Sequence, residues 1–202
     1  CIMRLSAIGD VTHVVPVIRA IRKHRPDAAI TWIIGKLEAR LLSGLSDVEF
    51  IVFDKKGGLA AARQLRRTLK GRKFDVLLHM QVAARANLLS KLVKSPRRIG
   101  WDKSRWRDRH QWFINESVKV PQDQHQVEAF LAFARALKLA VGPPEWNLPI
   151  SAENTRWAKE TLGEGPPILM ISPCSSHPLR NWQAVRYAQV ADYAVAELGM
   201  RV

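Results

Sequence analysis

Short apolar runs separated by stretches of helical spacing set the reading of this chain. Residues 1–5 (CIMRL) resemble the end of a first strand, which breaks at Ser6-Ala-Ile-Gly9-Asp10. Val14, Val17, Ile18 and Ile21 then recur at helical spacing, so a helix is expected over 16–25. Its basic last turn suits the helix dipole. Further strands are expected at 29–34, 48–53 and 74–79, and helices at 57–71 and 86–93. Two short extended pieces, 98–101 and 114–120, flank a basic, Trp-rich stretch. An amphipathic helix over 124–139 places Val127, Phe130, Leu131, Ala134 and Leu137 on one face.

Strands alternating with helices predict an α/β fold, a Rossmann-like parallel sheet covered on both faces, over 1–142. The rhythm breaks at 141–149 (VGPPEWNLP), and 143–150 reads as a linker. Beyond it come a helix at 152–162, an apolar strand at 168–171, a loop and a helix at 183–198. That is the start of a second Rossmann-like domain over 151–202, expected to be cut off where its next strand is due. No internal repeat interrupts this order.

At 47% hydrophobic and 25% charged residues, the chain is neither disordered nor low-complexity, and 11 Gly with 11 Pro exclude a collagen-like class. No apolar run approaches the roughly 20 residues of a membrane-spanning helix, and the opening residues lack a signal-peptide pattern. Two cysteines make no disulfide framework, which points to a reducing cytoplasm. The formal charge of +14 changes the picture more, because it calls for an anionic partner: nucleic acid, a membrane surface or a phosphorylated substrate. The charge is concentrated. Eight cations and no acid lie between Asp54 and Asp75, and Arg97, Arg98, Lys103, Arg105, Arg107 and Arg109 interleave with Trp101, Trp106 and Trp112. The first group reads as a solvated helix face. The second could hold nucleic acid by phosphate contact and stacking, although no zinc-finger, RNP or KH signature accompanies it.

In an open parallel sheet, ligands collect beyond the carboxyl ends of the strands. After the first strand, Gly9 permits a sharp turn and Asp10 sits where a carboxylate can act as a general base. On residue type alone the commoner reading is that the same residue N-caps the next helix. This stretch lacks the G-x-G-x-x-G dinucleotide fingerprint. Before the last helix, Ser175, Ser176 and Arg180 offer hydroxyls, backbone N–H groups and a guanidinium suited to a diphosphate. The alternative is a solvated Ser/Pro loop. His177 reads as a loop residue and Cys174 as a small packed apolar group, with no zinc-ligand spacing between them.

Taken together, four stretches resemble the ADP-heptose:lipopolysaccharide heptosyltransferase family, inverting glycosyltransferases of the two-domain GT-B fold. They are Arg4-x-Ser6-x-x-Gly9-Asp10-Val11, Gln81 after the strand ending at His79, Gln124-His125-x-Val127-Glu128, and Ser175-Ser176-x-x-x-Arg180-x-Trp182. The resemblance implies that Asp10 is the catalytic base and that Ser175, Ser176 and Arg180 hold the donor diphosphate. Arg180 stands where the family usually has Lys. It further implies acceptor contacts from Ser6, Lys55, Lys56, Gln81, Arg107 and His125. No metal or other cofactor is expected. The implied donor is ADP-heptose, and the implied acceptor is Kdo-lipid A or a heptosylated lipopolysaccharide core, met at the cytoplasmic face of the inner membrane. The neighbouring alternatives are a GT-B transferase with another nucleotide sugar or acceptor and a nucleic-acid-binding α/β module.

Overall fold

A computed structural model describes residues 1–120, 124–175 and 177–202. The chain divides into two compact units, Cys1–Pro149 and Ile150–Val202. In the first unit the elements run β1 (Ile2–Met3), α1 (Ile8–Thr12), α2 (Val14–His24), β2 (Thr31–Gly35), α3 (Lys36–Leu41), β3 (Glu49–Phe53) and α4 (Gly58–Thr68). They continue through β4 (Val76–His79), α5 (Ala84–Ser90), β5 (Arg97–Gly100), β6 (Glu116–Ser117) and α6 (Gln126–Ala136). Among the described residues six strands form one sheet in the order β3-β2-β1-β4-β5-β6, parallel at every junction. This is the doubly wound order, in which the chain winds outward in opposite directions from β1 and β4.

Alternation along β2 shows why both faces are covered. Trp32 and Ile34 point into one apolar layer, with Val14, Ile18, Phe130 and Phe133 from α2 and α6. Ile33 points into the other, with Met3, Leu5, Leu65 of α4 and Leu89 of α5. Trp101 stands edge-on to Phe130 and Phe133 at 5.2 and 4.9 Å, fixing α6 against the end of β5. The expected helix beginning at 16 instead starts at Val14, preceded by the separate short α1. α3 was not anticipated: its six residues follow Gly35 at the end of β2 without an apolar period long enough to declare a helix.

The stretch read as a linker lies on the first unit as far as Pro149. Trp146 and Leu148 are partly buried against the core, and the Asn147 carbonyl accepts from Arg19 Nη2 at 2.8 Å. Apolar area outweighed the Pro/Gly signal there. The second unit contains α7 (Ala152–Leu162), capped by Ser151 Oγ accepting from the Asn154 N–H, and α8 (Ala184–Ala196). The strand expected at 168–171 is reduced to one parallel bridge between Ile168 and Arg201, and Met170 is 76% exposed. A strand extends only as far as its neighbour, and Arg201 is the one paired residue there. Among the described residues no helix is long and apolar enough to cross a membrane.

Candidate active site

The junction between β1 and β4 is where the winding reverses, and a parallel sheet leaves a crevice at the carboxyl side of such a point. Residues on both sides are tied together there. The Leu5 N–H donates to Gln81 Oε1 at 2.7 Å, and Gln81 Nε2 donates to Ser6 Oγ at 3.3 Å. Arg4 is 12% exposed, donates to the Met80 carbonyl and packs over the Phe130 ring at 5.4 Å. Its guanidinium forms an ion pair with Asp10 Oδ2. Burial pulls the Arg4 pKa below its ordinary value, and Asp10 opposes that shift.

Asp10 is the third residue of α1, not its N-cap, which is Ala7. Its Oδ2 also accepts from the Ala7 N–H at 3.3 Å, so one oxygen carries both contacts. Among the described residues Oδ1 has no partner, and the carboxylate side chain is 34% exposed. One oxygen orients the group while the other stays available for a proton.

The other expected residues lie around this point. Lys55 and Lys56 follow β3 at the same carboxyl edge. Lys55 Nζ donates to the buried Glu38 at 2.7 Å, whereas Lys56 is exposed without an ion pair among the described residues. Arg107 is exposed on the segment after β5, likewise unpaired among the described residues. His125 is the N-cap of α6, its Nδ1 accepting from the Val127 N–H at 3.2 Å. Its ring meets His13 edge-on at 5.8 Å. His13 escaped the sequence reading, though its place three residues after Asp10, one α1 turn on, was the available signal. Burial foremost, and His125 next, hold His13 below the ordinary imidazole pKa.

Beneath the crevice lies a polar cluster that no local motif announced. His79 Nε2 and His110 Nδ1 both approach Asn87 Oδ1 at 2.9 Å. Because the Trp101 N–H donates to His110 Nε2, that nitrogen carries no proton and Nδ1 donates to Asn87. The Asn87 amide in turn donates to the carbonyls of Val82 and Asp108. Asp108 and Arg109 adopt left-handed backbone, φ 50° and 59°, and this grip on Asp108 holds the turn that carries Arg107. Burial lowers the pKa of His79 to about 3 and of His110 to about 4.

The Arg/Trp stretch is divided: Trp101 lies in the core and Arg97, Arg98, Arg105 and Trp106 are half-buried, while Lys103, Arg107, Arg109 and Trp112 stay exposed. Trp101 is buried, and Trp106 Nε1 donates to its carbonyl at 2.6 Å. Arg97 pairs with Glu116, while Arg98 donates to the carbonyls of Phe113, Val93 and Ser90. Trp112 is 66% exposed, with Arg109 over it at 4.8 Å. At the opposite edge of the sheet opens a hollow of about 970 Å³. Its Arg22, Arg72 and Arg97 are matched by Asp47, Glu49 and Glu116, whereas Arg25 and Lys73 in its lining have no ion pair among the described residues.

In the second unit, the loop before α8 closes on itself. The Ser175 N–H donates to Asn181 Oδ1 at 2.7 Å, and Ser175 Oγ donates to the His177 carbonyl at 2.9 Å. His177 Nδ1 accepts from the Leu179 N–H and the His177 carbonyl from the Arg180 N–H, confirming a loop role for that residue. Several backbone donors expected to face a diphosphate are therefore already used. What remains is the exposed Arg180 side chain, unpaired among the described residues, and the N-terminus of α8, which has no side-chain cap. Ser176 lies outside the described residues. Cys174 is exposed rather than packed, because the loop has no core of its own to receive it.

Comparison with known proteins gives a consistent result. The profile of glycosyltransferase family 9 (heptosyltransferase) matches residues 62–202. The lipopolysaccharide core heptosyltransferase OpsX of Haemophilus influenzae is 38% identical over 194 residues, covering 96% of this chain and 56% of OpsX. Among solved structures, a family 9 glycosyltransferase from Veillonella parvula aligns with a TM-score of 0.79 at 20% identity, over 98% of this chain and 60% of that one. The E. coli heptosyltransferase WaaC with ADP aligns at 0.72 and 16% identity, over 96% and 64%. These two share the fold. The chain spans between half and two thirds of the length of these relatives.

Proposed function

The chain belongs to glycosyltransferase family 9, the heptosyltransferase family, and on that premise we propose that the intact protein transfers heptose from ADP-heptose to the inner core of lipopolysaccharide, onto Kdo or a heptose already attached. The carrying observation is Asp10, held through Oδ2 at the reversal point of the sheet with Oδ1 unengaged. Asp10 takes the proton from the acceptor hydroxyl as its oxygen bonds to the anomeric carbon. The bond to the ADP oxygen breaks on the opposite face, its electrons leave with ADP, and the configuration inverts.

Ser175, Ser176 and Arg180 take the donor diphosphate, with Arg180 offsetting the charge that grows on the leaving group; cationic and backbone donors do this in place of a metal. The donor assignment draws support from OpsX, named as a lipopolysaccharide core heptosyltransferase, and from WaaC, solved with ADP. Residues 151–202 belong to the nucleotide-sugar domain. Ser6, Gln81, Lys55, Lys56, Arg107 and His125 receive the acceptor, whose carboxylates and phosphates match the +14 charge. The same charge holds the protein peripherally at the cytoplasmic face of the inner membrane.

Asp10→Asn in the intact protein should lower transfer to Kdo-lipid A by about 100-fold or more, with the ADP-heptose Kd changed by less than about twofold. Undiminished turnover would remove Asp10 as the base. No transfer from ADP-heptose to either Kdo-lipid A or a heptosylated core by the parent protein would overturn the functional reading itself.

A further inference from the structure

We propose that Glu38 is a positioning residue that holds the Lys55 ammonium at the rim of the crevice for an anionic group of the acceptor. The proposal rests on the reading that Lys55 meets the acceptor. Glu38 lies in the first turn of α3, directly after β2, and is 2% exposed. Its Oε1 accepts from Lys55 Nζ at 2.7 Å, while its Oε2 is buried without a hydrogen-bond partner. A buried carboxylate with a half-satisfied oxygen set is a poor stabilising device, since one ammonium contact does not repay the desolvation of both charges. Such a costly local arrangement fits a functional role.

Two further features show that the arrangement is built. A Cβ at Gly35 would overlap Glu38 Oε2 and the Leu5 carbonyl, so the carboxylate lies against the strand ends only because position 35 is glycine. Lys55 is also held by its backbone, its carbonyl accepting from Arg85 Nη1 at 2.8 Å. Its side chain remains 35% exposed, and one of its three ammonium donors is used by Glu38. Lys56 and Arg107, on the same rim, have no such holder among the described residues. A free lysine loses rotamer freedom on binding, and Lys55 has lost much of it in advance. The matching ligand chemistry is a carboxylate or phosphate oxygen.

In the intact protein, Glu38→Gln should raise the acceptor KM about tenfold, with kcat and the ADP-heptose KM within about twofold of the parent. Lys55→Met strands a buried carboxylate and is expected to fold poorly. The Glu38→Gln/Lys55→Met double variant removes both charges and should fold, with an acceptor KM at least as high as that of Glu38→Gln alone, because the ammonium itself is gone. Equilibrium binding of Kdo-lipid A micelles without donor gives the same comparison and survives in Asp10→Asn, so a failure of the base assignment leaves this test intact. With dephosphorylated Kdo-lipid A, loss of the Glu38→Gln effect identifies a phosphate as the ligand, and its persistence identifies a carboxylate. A parent-like acceptor KM and affinity in Glu38→Gln, or a double variant that binds the acceptor better than Glu38→Gln does, would overturn the proposal.

Discussion

The crevice of the first unit and the loop of the second carry comparable polar groups, wired at very different range. In the crevice, Leu5 and Gln81 are 76 positions apart, and the same separation divides Arg4 from Met80. In the loop, the contacts of Ser175 reach only to His177 and Asn181. Long-range wiring is bound into the sheet, so disturbing it disturbs the fold. Local wiring exchanges cheaply for bonds to a ligand, because little else depends on it. An acceptor base needs the first kind of support. A loop that receives and releases a diphosphate can use the second.

The most severe challenge to the rigid side of this contrast is acid. His79 and His110 are fully buried, with pKa values near 3 and 4 caused chiefly by that burial; for His79 the neighbouring His110 adds to it and the Asn87 contact opposes it. An unfolded imidazole titrates near 6.5, so below that pH the unfolded chain binds more protons than the folded one. Stability therefore falls as pH drops from about 6.5 toward 4, by roughly 1.4 kcal/mol per unit for each imidazole. Glu49 is held at about 2 by Arg72 and Thr31, and its loss belongs to a lower window, below its ordinary 4.5. Urea midpoints from Trp fluorescence should drop clearly between pH 7 and pH 5, and His110→Gln should remove about half of the slope. A midpoint unchanged over that interval would mean that the cluster is not buried in its neutral form.

Next in size is the loss of Arg4. Arg4→Met keeps the volume over Phe130 but removes the ion pair with Asp10 and the bond to Met80. Breaking a fully buried pair costs about 3–5 kcal/mol, and with Asp10 one-third exposed we expect less, about 2–3 kcal/mol, as a lowered Tm. Transfer should fall with it, because Asp10 loses its orientation. Arg4→Lys keeps the charge without the fork and should recover part of the stability. A parent-like Tm in Arg4→Met would show that the wiring at the reversal point does not brace the fold.

The same difference in range explains what could be read from the sequence. Apolar periodicity marks β2, β3, β4, α4 and α6 because each is declared by neighbours within a few residues. The strand–turn–helix at Asp10 is equally local, which made its candidacy visible. The tie between Leu5 and Gln81, the meeting of His79 with His110, and the half-burial of Arg98 depend on which strands become neighbours, and no short window contains that information. Trp101 shows the limit well. Among arginines it looks like a stacking platform, yet its register at the end of β5 turns it into the core. Glu38 was missed for the same reason, since its meaning depends on Lys55, which lies in another element.

The smallest expected disturbance of the fold tests the adaptable side. Arg180 is exposed, has no ion pair among the described residues, and belongs to a loop whose other polar groups bond to one another. Arg180→Ala should therefore change stability by no more than about 0.5 kcal/mol, as usual for surface positions. If the guanidinium meets the donor diphosphate, the same substitution removes a charge-assisted hydrogen bond worth about 1.5–3 kcal/mol, so ADP affinity in the intact protein should fall at least tenfold. Arg180→Lys keeps a point charge and should lie between the two, because a lysine binds phosphate without the guanidinium's paired donors. Isothermal titration with ADP and a thermal melt on the same samples separate the two quantities. A fall in affinity without a fall in Tm is the signature of a loop held in shape by its ligand. A parallel fall in both would place Arg180 among the groups that brace the fold, and the contrast between the two regions would collapse.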